Sequence, residues 1–351
     1  MCIILTTDCA QSAKEIMHTP PHAALDHVPV VDIAPFLHGT PAQRQAVAGE
    51  VDRINREIGF LVVTGHGLDL ALLDRWFEVS REFFAAPAEV KQAVLAAPGT
   101  HHGYHAMAAS GLAAKEGETA PPDLREYFMV GHLDGERLAT TPSAARFHRA
   151  NRWPSQPAGF AAVAPAYYRA MEALGATLMR LFAMALGLPE HWFDDKIDRH
   201  FSVLSTIHYP AQKVEPLPGQ LRAGAHTDYG SLTILAPSDA PGGLQVRSLT
   251  GEWMDVPYLR DGFVINIGDM MQRWTNDRWR SNFHRVVNPP PGSPLRPRQS
   301  IAYFLHPNDD AQIACIPTCV GRDGPLFEPI QAGDYMWEKE HAIAAAQPVA
   351  A

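Results

Sequence analysis

Residues 224–235, Gly224-Ala-His-Thr-Asp-Tyr-Gly230 followed by Ser231-Leu-Thr-Ile-Leu235, join two potential metal ligands to a β-prone run. His226 and Asp228 are separated by a single residue, so an extended backbone directs both side chains to the same face. An imidazole and a carboxylate on one face can bind the same metal ion, and the flanking glycines let the backbone bend close to it. The pair alone has a second interpretation, which is a loop histidine hydrogen-bonded to a neighbouring carboxylate. A third ligand is needed to decide between the two.

His284, in the run Ser281-Asn-Phe-His-Arg-Val-Val287, is the best candidate for that third ligand. Two histidines and one carboxylate on one side of a metal ion leave three coordination positions open. Non-haem Fe(II) oxygenases need this arrangement for a cosubstrate and O2. Zinc accepts the same ligand types, but the sequence offers no convincing general base for a zinc hydrolase. We therefore predict that His226, Asp228 and His284 bind iron.

A candidate anion-binding element follows, in the run Arg298-Gln-Ser300 at the start of a β-prone segment. A guanidinium group can grip a carboxylate through two parallel hydrogen bonds, and a hydroxyl two residues later reaches the same group. Alone, an arginine at a strand end is usually a solvated surface charge. Its position shortly after His284 instead indicates an anchor for an anionic cosubstrate.

Around these motifs the sequence predicts a mixed α and β fold. Residues 1–27 are expected to form a loose tail, residues 28–200 a mainly helical region with two early strands, and residues 201–340 a β-rich catalytic core within one integrated domain. Helical periodicity covers 41–58, 69–84 and 159–186, and segment 98–122 is expected to be a long loop. Many short strands separated by turns after residue 200 are typical of a barrel or a two-sheet jelly roll. The strands are predicted at 28–33, 60–64, 201–209, 231–235, 244–247, 263–267, 283–287 and 300–305.

Composition narrows the class of protein. The chain has 351 residues, of which 46% are hydrophobic and 19% charged, and a formal charge of −9. An acidic surface repels phosphate backbones, so we expect no nucleic-acid partner. The N-terminus makes a poor signal peptide, and no apolar run suits a membrane span, so we expect a soluble cytoplasmic protein. The four cysteines fit a reducing compartment; Cys315 and Cys319 could form half of a metal site, but we expect ordinary thiols.

Several further segments, taken with these motifs, resemble the iron(II)- and 2-oxoglutarate-dependent dioxygenases related to isopenicillin N synthase. The resembling segments lie in order along the chain, at residues 28–36, 59–67, 208–210, 225–230, 242–246, 266–276, 281–286 and 298–300. The resemblance implies a double-stranded β-helix (jelly-roll) core flanked by helices, with iron on His226, Asp228 and His284. It also implies that Arg298 and Ser300, assisted by Tyr209, bind the distal carboxylate of 2-oxoglutarate. Such an enzyme uses Fe(II), 2-oxoglutarate and O2 to oxidise a small organic molecule, here in secondary metabolism, and releases succinate and CO2.

The substrate region of this family matches residues 98–131, where Tyr104 and Arg125 are the candidate substrate contacts. Arg125 could pair with a substrate carboxylate. The alternative is that Arg125 and Glu126 are surface charges and that the aromatic residues after them belong to the core. Neither the substrate, the choice among hydroxylation, desaturation, cyclisation and epoxidation, nor the oligomeric state follows from the sequence.

Three other functions remain compatible with the motifs. The first is an oxidase like isopenicillin N synthase, which works without 2-oxoglutarate and holds a substrate carboxylate with a similar Arg-x-Ser element. The second is an enzyme that forms ethylene from 2-oxoglutarate, since residues 224–230 also resemble that enzyme. The third, and least favoured, is a jelly-roll binding protein without catalysis.

Overall fold

The computed structural model describes residues 25–97, 99–107 and 121–346, so most of the predicted N-terminal tail lies outside the described residues. The strands of the described chain are β1 Val30–Asp32, β2 Phe60–Thr64, β3 Gly103–His105, β4 Glu126–Val130, β5 Val203–Tyr209, β6 Ala223–His226, β7 Leu232–Pro237, β8 Leu244–Arg247, β9 Trp253–Asp255, β10 Phe263–Ile267, β11 His284–Val286, β12 Arg298–Leu305, β13 Gln312–Ile313 and β14 Ile330–Gln331. The α-helices are α1 Ala34–His38, α2 Pro41–Glu57, α3 Leu70–Ala85, α4 Ala88–Gln92, α5 Gly135–Leu138, α6 Ala144–Phe147, α7 Phe160–Ala185, α8 Asp269–Trp274 and α9 Ala332–Ala346. Two short 3-10 helices lie at Asp194–Lys196 and Pro317–Cys319.

The helices begin where the sequence provides caps. Thr40 and Gln43 form a reciprocal capping box ahead of α2, with Pro41 at its first position. Asp69 accepts a hydrogen bond from the backbone of Ala71 and caps α3. Between α2 and β2, Gly59 adopts a φ of 68° and lies against the Arg280 carbonyl, where a side chain would not fit. The predicted ranges of α2, α3, α7 and β2 are confirmed.

One large sheet supports the site. Its eight strands run in the order β1-β2-β10-β7-β12-β5-β4-β3, and all neighbours except β1 and β2 are antiparallel. On one face, Tyr303 of β12 packs edge-to-face on Tyr168 of α7 at 5.5 Å. Successive side chains of a strand point to opposite faces, so Arg298 and Ser300 lie on the face away from that helix. The helices therefore cover one face of the large sheet, and the predicted anion-binding residues lie on the other face.

A smaller sheet covers that second face. Its order is β6-β11-β8-β9, and the pairing of β6 with β11 sets His284 opposite His226 in register. The predicted jelly-roll core flanked by helices is confirmed. Both early strands and both strands of the 98–131 region belong to the large sheet, so the N-terminal part of the chain builds the same core as the C-terminal part.

One local prediction differs from the structure. Segment 98–122 is not loop throughout, because β3 lies within it; residues 98 and 108–120 are outside the described residues. Asp269 is the first residue of α8. After α8 the chain turns at Asn276 and Asp277, which have positive φ values of 55° and 61°.

The described helices and cysteines bear on two expectations, one about a membrane span and one about a cysteine metal site. No described helix combines the length and the apolar character that crossing a bilayer requires. Cys315 and Cys319 are free thiols, and neither belongs to the three-ligand clusters found in the described part of the chain.

Candidate metal centre

Three predicted ligands converge between the two sheets. His226 ends β6, Asp228 follows it, and His284 begins β11 directly across from His226. Asp228 Oδ1 lies 3.8 Å from His226 Nε2 and 3.7 Å from His284 Nε2. Metal bonds to such ligands are about 2.0–2.2 Å long, so an ion fits among the three atoms. His284 is 7% and Asp228 9% exposed, so the group is largely shielded from water.

The hydrogen bonds of the two imidazoles leave the Nε2 atom of each ring free to bind a metal ion. His226 Nδ1 donates to the Gly224 carbonyl at 2.8 Å, and His284 Nδ1 donates to the Asn282 carbonyl at 3.2 Å. A carbonyl can only accept, so each Nδ1 carries the proton and each Nε2 presents a lone pair. Both lone pairs belong to the nitrogens that face Asp228. Metal-binding histidines commonly have this arrangement, in which the second nitrogen is held by a backbone carbonyl.

The two carboxylate oxygens of Asp228 have different partners. Its Oδ2 accepts hydrogen bonds from Thr233 Oγ1 at 2.5 Å and from Asn266 Nδ2 at 2.7 Å. Thr233 on β7 and Asn266 on β10 are register partners in the large sheet. Only Oδ1 remains for a metal, so the carboxylate is set up to bind through one oxygen. Sequence reasoning did not identify Thr233 and Asn266, because their roles depend on strands that pair far apart in the chain.

The protonation states of His226 and Asp228 also favour binding of a metal cation. Burial, together with the neighbouring His284, holds the pKa of His226 well below its usual value, so the ring is neutral. Burial alone would raise the pKa of the Asp228 carboxyl, but His284, His226 and the two hydrogen-bond donors outweigh it and leave the pKa lowered. At neutral pH the group therefore offers a neutral imidazole and a carboxylate, the forms that bind metal ions.

A second group of three potential ligands lies elsewhere in the described chain, formed by His132, Glu172 and His200. Glu172 Oε1 is 3.6 Å from His132 Nε2 and 3.1 Å from His200 Nε2, so distance alone does not separate this group from the first. The hydrogen bonds of its histidines distinguish it from the first group. The backbone N–H of Asp134 donates to His132 Nδ1 at 3.1 Å, and that of Ser202 donates to His200 Nδ1 at 3.3 Å.

Because each Nδ1 of this second group accepts a hydrogen bond, each Nε2 of the neutral rings carries the proton and points it towards Glu172. Burial and His200 lower the pKa of His132 to about 4, so this ring is neutral at physiological pH. With both Nε2 protons directed towards the carboxylate, and that of His200 hydrogen-bonded to it at 3.1 Å, the two rings offer no lone pairs to a metal. The ligand set at His226, Asp228 and His284 is the one whose chemistry fits Fe(II).

The predicted anion-binding residues lie together on β5 and β12. Arg298 pairs with Tyr209 in register, and its guanidinium carbon lies 5.1 Å from the tyrosine ring centroid. Arg298 Nη1 donates to Ser300 Oγ, and Ser300 Oγ donates to Tyr209 Oη, both at 3.3 Å. All three residues are about 2% exposed. No carboxylate of the described chain forms an ion pair with Arg298, so a buried cation and two hydroxyls are available to an anion from solution.

The two predicted substrate contacts lie on different faces of β4 and its neighbours. Tyr104 donates to Glu126 at 2.5 Å and packs on Phe83 of α3 at 5.9 Å, so it faces the helices. Arg125 has the opposite orientation. Its guanidinium carbon lies 5.1 Å from the Tyr127 ring centroid, and its charge helps to lower the pKa of His226. Of the two candidates, Arg125 therefore acts electrostatically on a metal ligand, whereas Tyr104 is engaged on the helical side of the sheet.

Two other contacts hold the ligand segment in place. Asp123 Oδ1 accepts a hydrogen bond from the Gly224 backbone at 2.9 Å, on the strand that carries His226. Asp269 accepts hydrogen bonds from Thr227 Oγ1 at 3.3 Å and from Lys339 Nζ of α9 at 2.8 Å. Asp269 therefore holds the residue that lies between His226 and Asp228.

Comparison with known proteins agrees with this site. Residues 28–156 match the family model of the N-terminal region of non-haem dioxygenases, described for morphine synthesis. Residues 200–307, which contain all six predicted metal and cosubstrate residues, match the model of the 2OG-Fe(II) oxygenase superfamily.

Relatives and solved structures cover most of the chain. The validamycin A dioxygenase of Streptomyces hygroscopicus subsp. limoneus is 28% identical, over 89% of this chain and 85% of its own. The 2-oxoglutarate-Fe(II) type oxidoreductase hxnY of Emericella nidulans is 30% identical over 87% of each chain.

Among structures, full-length Neurospora crassa T7H in complex with alpha-KG and thymine superposes with a TM-score of 0.77, at 31% identity over 91% of this chain and 97% of that one. JOX2 in complex with 2OG, Fe and JA gives a TM-score of 0.73 at 25% identity, over 92% and 90% of the two chains. The chain therefore belongs to the 2-oxoglutarate- and Fe(II)-dependent oxygenases, enzymes that work with Fe(II), 2-oxoglutarate and O2.

Proposed function

We propose that the iron of this dioxygenase is held by His226, Asp228 and His284. The observation that carries the proposal is the pair of Nδ1–carbonyl hydrogen bonds, which turn both Nε2 lone pairs towards Asp228 Oδ1. With Oδ2 occupied by Thr233 and Asn266, the three residues contribute one ligand atom each. Three positions then remain for 2-oxoglutarate and O2. Fe(II) bound here supplies the redox chemistry that activates O2, and the protein supplies orientation and shielding.

The 2-oxoglutarate carboxylate farthest from the keto group is the proposed ligand of Arg298, Ser300 and Tyr209. Arg298 is buried and has no acidic partner among the described residues, so a carboxylate from solution would compensate its charge. The guanidinium and the two hydroxyls provide several donors in a fixed arrangement, which limits the orientations that the cosubstrate can adopt.

The substrate is proposed to be a small polar molecule that contacts Arg125 and undergoes hydroxylation, desaturation or ring formation. Support comes from the position of Arg125 near His226 and from the flat stack of His105 on Tyr127, whose centroids are 4.4 Å apart. Similar proteins also act on or bind small molecules, since they include two homoarginine-6-hydroxylases and T7H, which was solved in complex with thymine. Arg125 also pairs with Asp123, at 3.3 Å. An anionic or carbonyl group of the substrate is the expected contact.

The test compares two histidine variants after anaerobic loading with Fe(II). In the presence of 2-oxoglutarate and O2, wild type should consume O2 and release succinate in equal amounts. His284→Ala should lose bound iron and succinate formation, because a two-ligand site binds iron weakly. His132→Asn, in the second histidine group, should retain both. Iron retained by His284→Ala, or lost by His132→Asn alone, would overturn the ligand assignment.

A further inference from the structure

A second buried arginine, Arg222, lies beside the proposed cosubstrate residues. It immediately precedes β6, the strand that carries His226, and is 1% exposed. Its guanidinium carbon lies 6.0 Å from the Tyr209 ring centroid, and that of Arg298 lies 5.1 Å from the same ring. Two buried guanidinium groups therefore lie near the same tyrosine ring.

Arg222 has few partners of its own in the described chain. Its Nη1 donates to the Pro241 carbonyl at 2.5 Å, while its buried Nε has no hydrogen-bond partner. No described carboxylate lies within ion-pair distance of it. Burial, with Arg298 nearby, lowers the pKa of Arg222 to about 10, so the side chain is still charged at neutral pH.

Two neighbouring buried cations that have no acidic partner among the described residues are costly to desolvate unless an anion joins them. A role as a simple anchor for the Pro241 carbonyl does not account for the charge or for the unpaired Nε, because a neutral amide could make that bond. An ionised carboxylate has about four lone-pair positions and can accept from more than one guanidinium.

We infer that Arg222 is a second cationic residue of the cosubstrate pocket and that it selects 2-oxo acids carrying a distal carboxylate. The inference rests on the proposed role of Arg298. Arg222 increases affinity for the dianionic cosubstrate, and it sustains part of that affinity when Arg298 is lost.

The test measures binding by calorimetry, without O2, to protein loaded with Mn(II). The probes are 2-oxoglutarate and 2-oxopentanoate, which has a methyl group in place of the distal carboxylate. Arg222→Met should weaken 2-oxoglutarate binding about tenfold or more, as expected for a charge-assisted hydrogen bond, and leave 2-oxopentanoate binding unchanged. Arg222→Gln, which can still donate to Pro241, should behave like Arg222→Met. The exposed Arg296→Met is the matched control and should bind both acids like wild type.

Two results would overturn the inference. One is equal weakening of both acids in Arg222→Met, which indicates a structural role; the other is wild-type affinity for 2-oxoglutarate in Arg222→Gln. Failure of the underlying function looks different, because wild type itself would then not bind 2-oxoglutarate. If Arg298→Met loses 2-oxoglutarate while Arg222→Met does not, the proposed function stands and only the role of Arg222 is rejected.

Discussion

At the scale of single residues, Asp228 shows how much of a metal site lies outside its ligands. Thr233 and Asn266 occupy one carboxylate oxygen, which orients the other towards the two imidazoles. Partners of this kind commonly change metal affinity by about 10–100-fold when they are removed.

Thr233→Val removes one of these donors with little change in shape. We expect metal affinity to fall by about tenfold or more, because Oδ2 loses a hydrogen bond that stabilises the ionised carboxylate. Titration with Fe(II) or Mn(II) measures this. Thr206→Val is the matched control, since Thr206 is also buried in the large sheet but its hydroxyl has no hydrogen-bond partner in the described part of the chain. Equal affinities for the two valine variants would contradict the assigned role of Thr233.

The sequence could predict His226 and Asp228 as a pair because strand alternation is a local rule. It could not predict which nitrogen of each histidine is free, since the deciding carbonyls depend on the backbone path. Arg222 was missed for a related reason. An isolated arginine before a strand has no local signal, and only its burial beside Arg298 makes it a candidate.

At the scale of elements, one buried carboxylate joins a helix and three strands. Glu126 of β4 accepts from Tyr104 of β3 at 2.5 Å, His208 of β5 at 2.8 Å and Lys91 of α4 at 3.0 Å. Tyr104 and Glu126, expected as a substrate contact and a surface charge, thus belong to a structural network at the edge of the large sheet.

Glu126→Gln should destabilise the protein at neutral pH by about 1–3 kcal/mol, since the three partners lose a charged acceptor. Burial would raise the pKa of Glu126, but His208, Tyr104 and Lys91 lower it below the usual 4.5. A lowered carboxyl pKa contributes stability above the unfolded value, and this contribution is lost as pH falls through the folded value.

The stability difference between wild type and Glu126→Gln in urea unfolding should therefore be present at pH 7 and should shrink as pH falls below 4.5. Glu89→Gln, at an exposed position of α4, is the control and should unfold like wild type across this range. A difference between wild type and Glu126→Gln that persists unchanged in acid would show that the charge of Glu126 is not the cause.

Elements with their own periodicity or caps, such as α2 and β2, were predictable, whereas β3 was not. Three residues contain no periodic signal, and β3 exists because β4 pairs with it. The start of α8 at Asp269 likewise depends on a tertiary contact, the bond from its backbone N–H to the Asp228 carbonyl at 2.7 Å.

At the scale of the whole molecule, we propose that residues 28–340 work as one unit, because strands from both ends of the chain form the large sheet. Neutral histidines are distributed through this unit. Burial is the main cause that lowers the pKa of His102, His132 and His306 to about 4 each, from an ordinary value of 6.5.

These histidines predict acid sensitivity in a defined window. A lowered imidazole pKa contributes stability above the unfolded value of 6.5, and this is lost as pH falls towards about 4, because the unfolded chain binds more protons. The Tm of metal-free protein should decrease steadily across that range. His102→Asn should reduce the slope, while His38→Asn, at an exposed position, should not. A wild-type Tm that is constant across the window would contradict this account.

The most direct test of the metal assignment is the anomalous scattering of iron in crystals grown without O2 in the presence of Fe(II) and 2-oxoglutarate. We predict a single strong iron peak among His226 Nε2, Asp228 Oδ1 and His284 Nε2, with the distal carboxylate of 2-oxoglutarate against Arg298. Iron among His132, Glu172 and His200, or 2-oxoglutarate bound away from Arg298, would contradict the account.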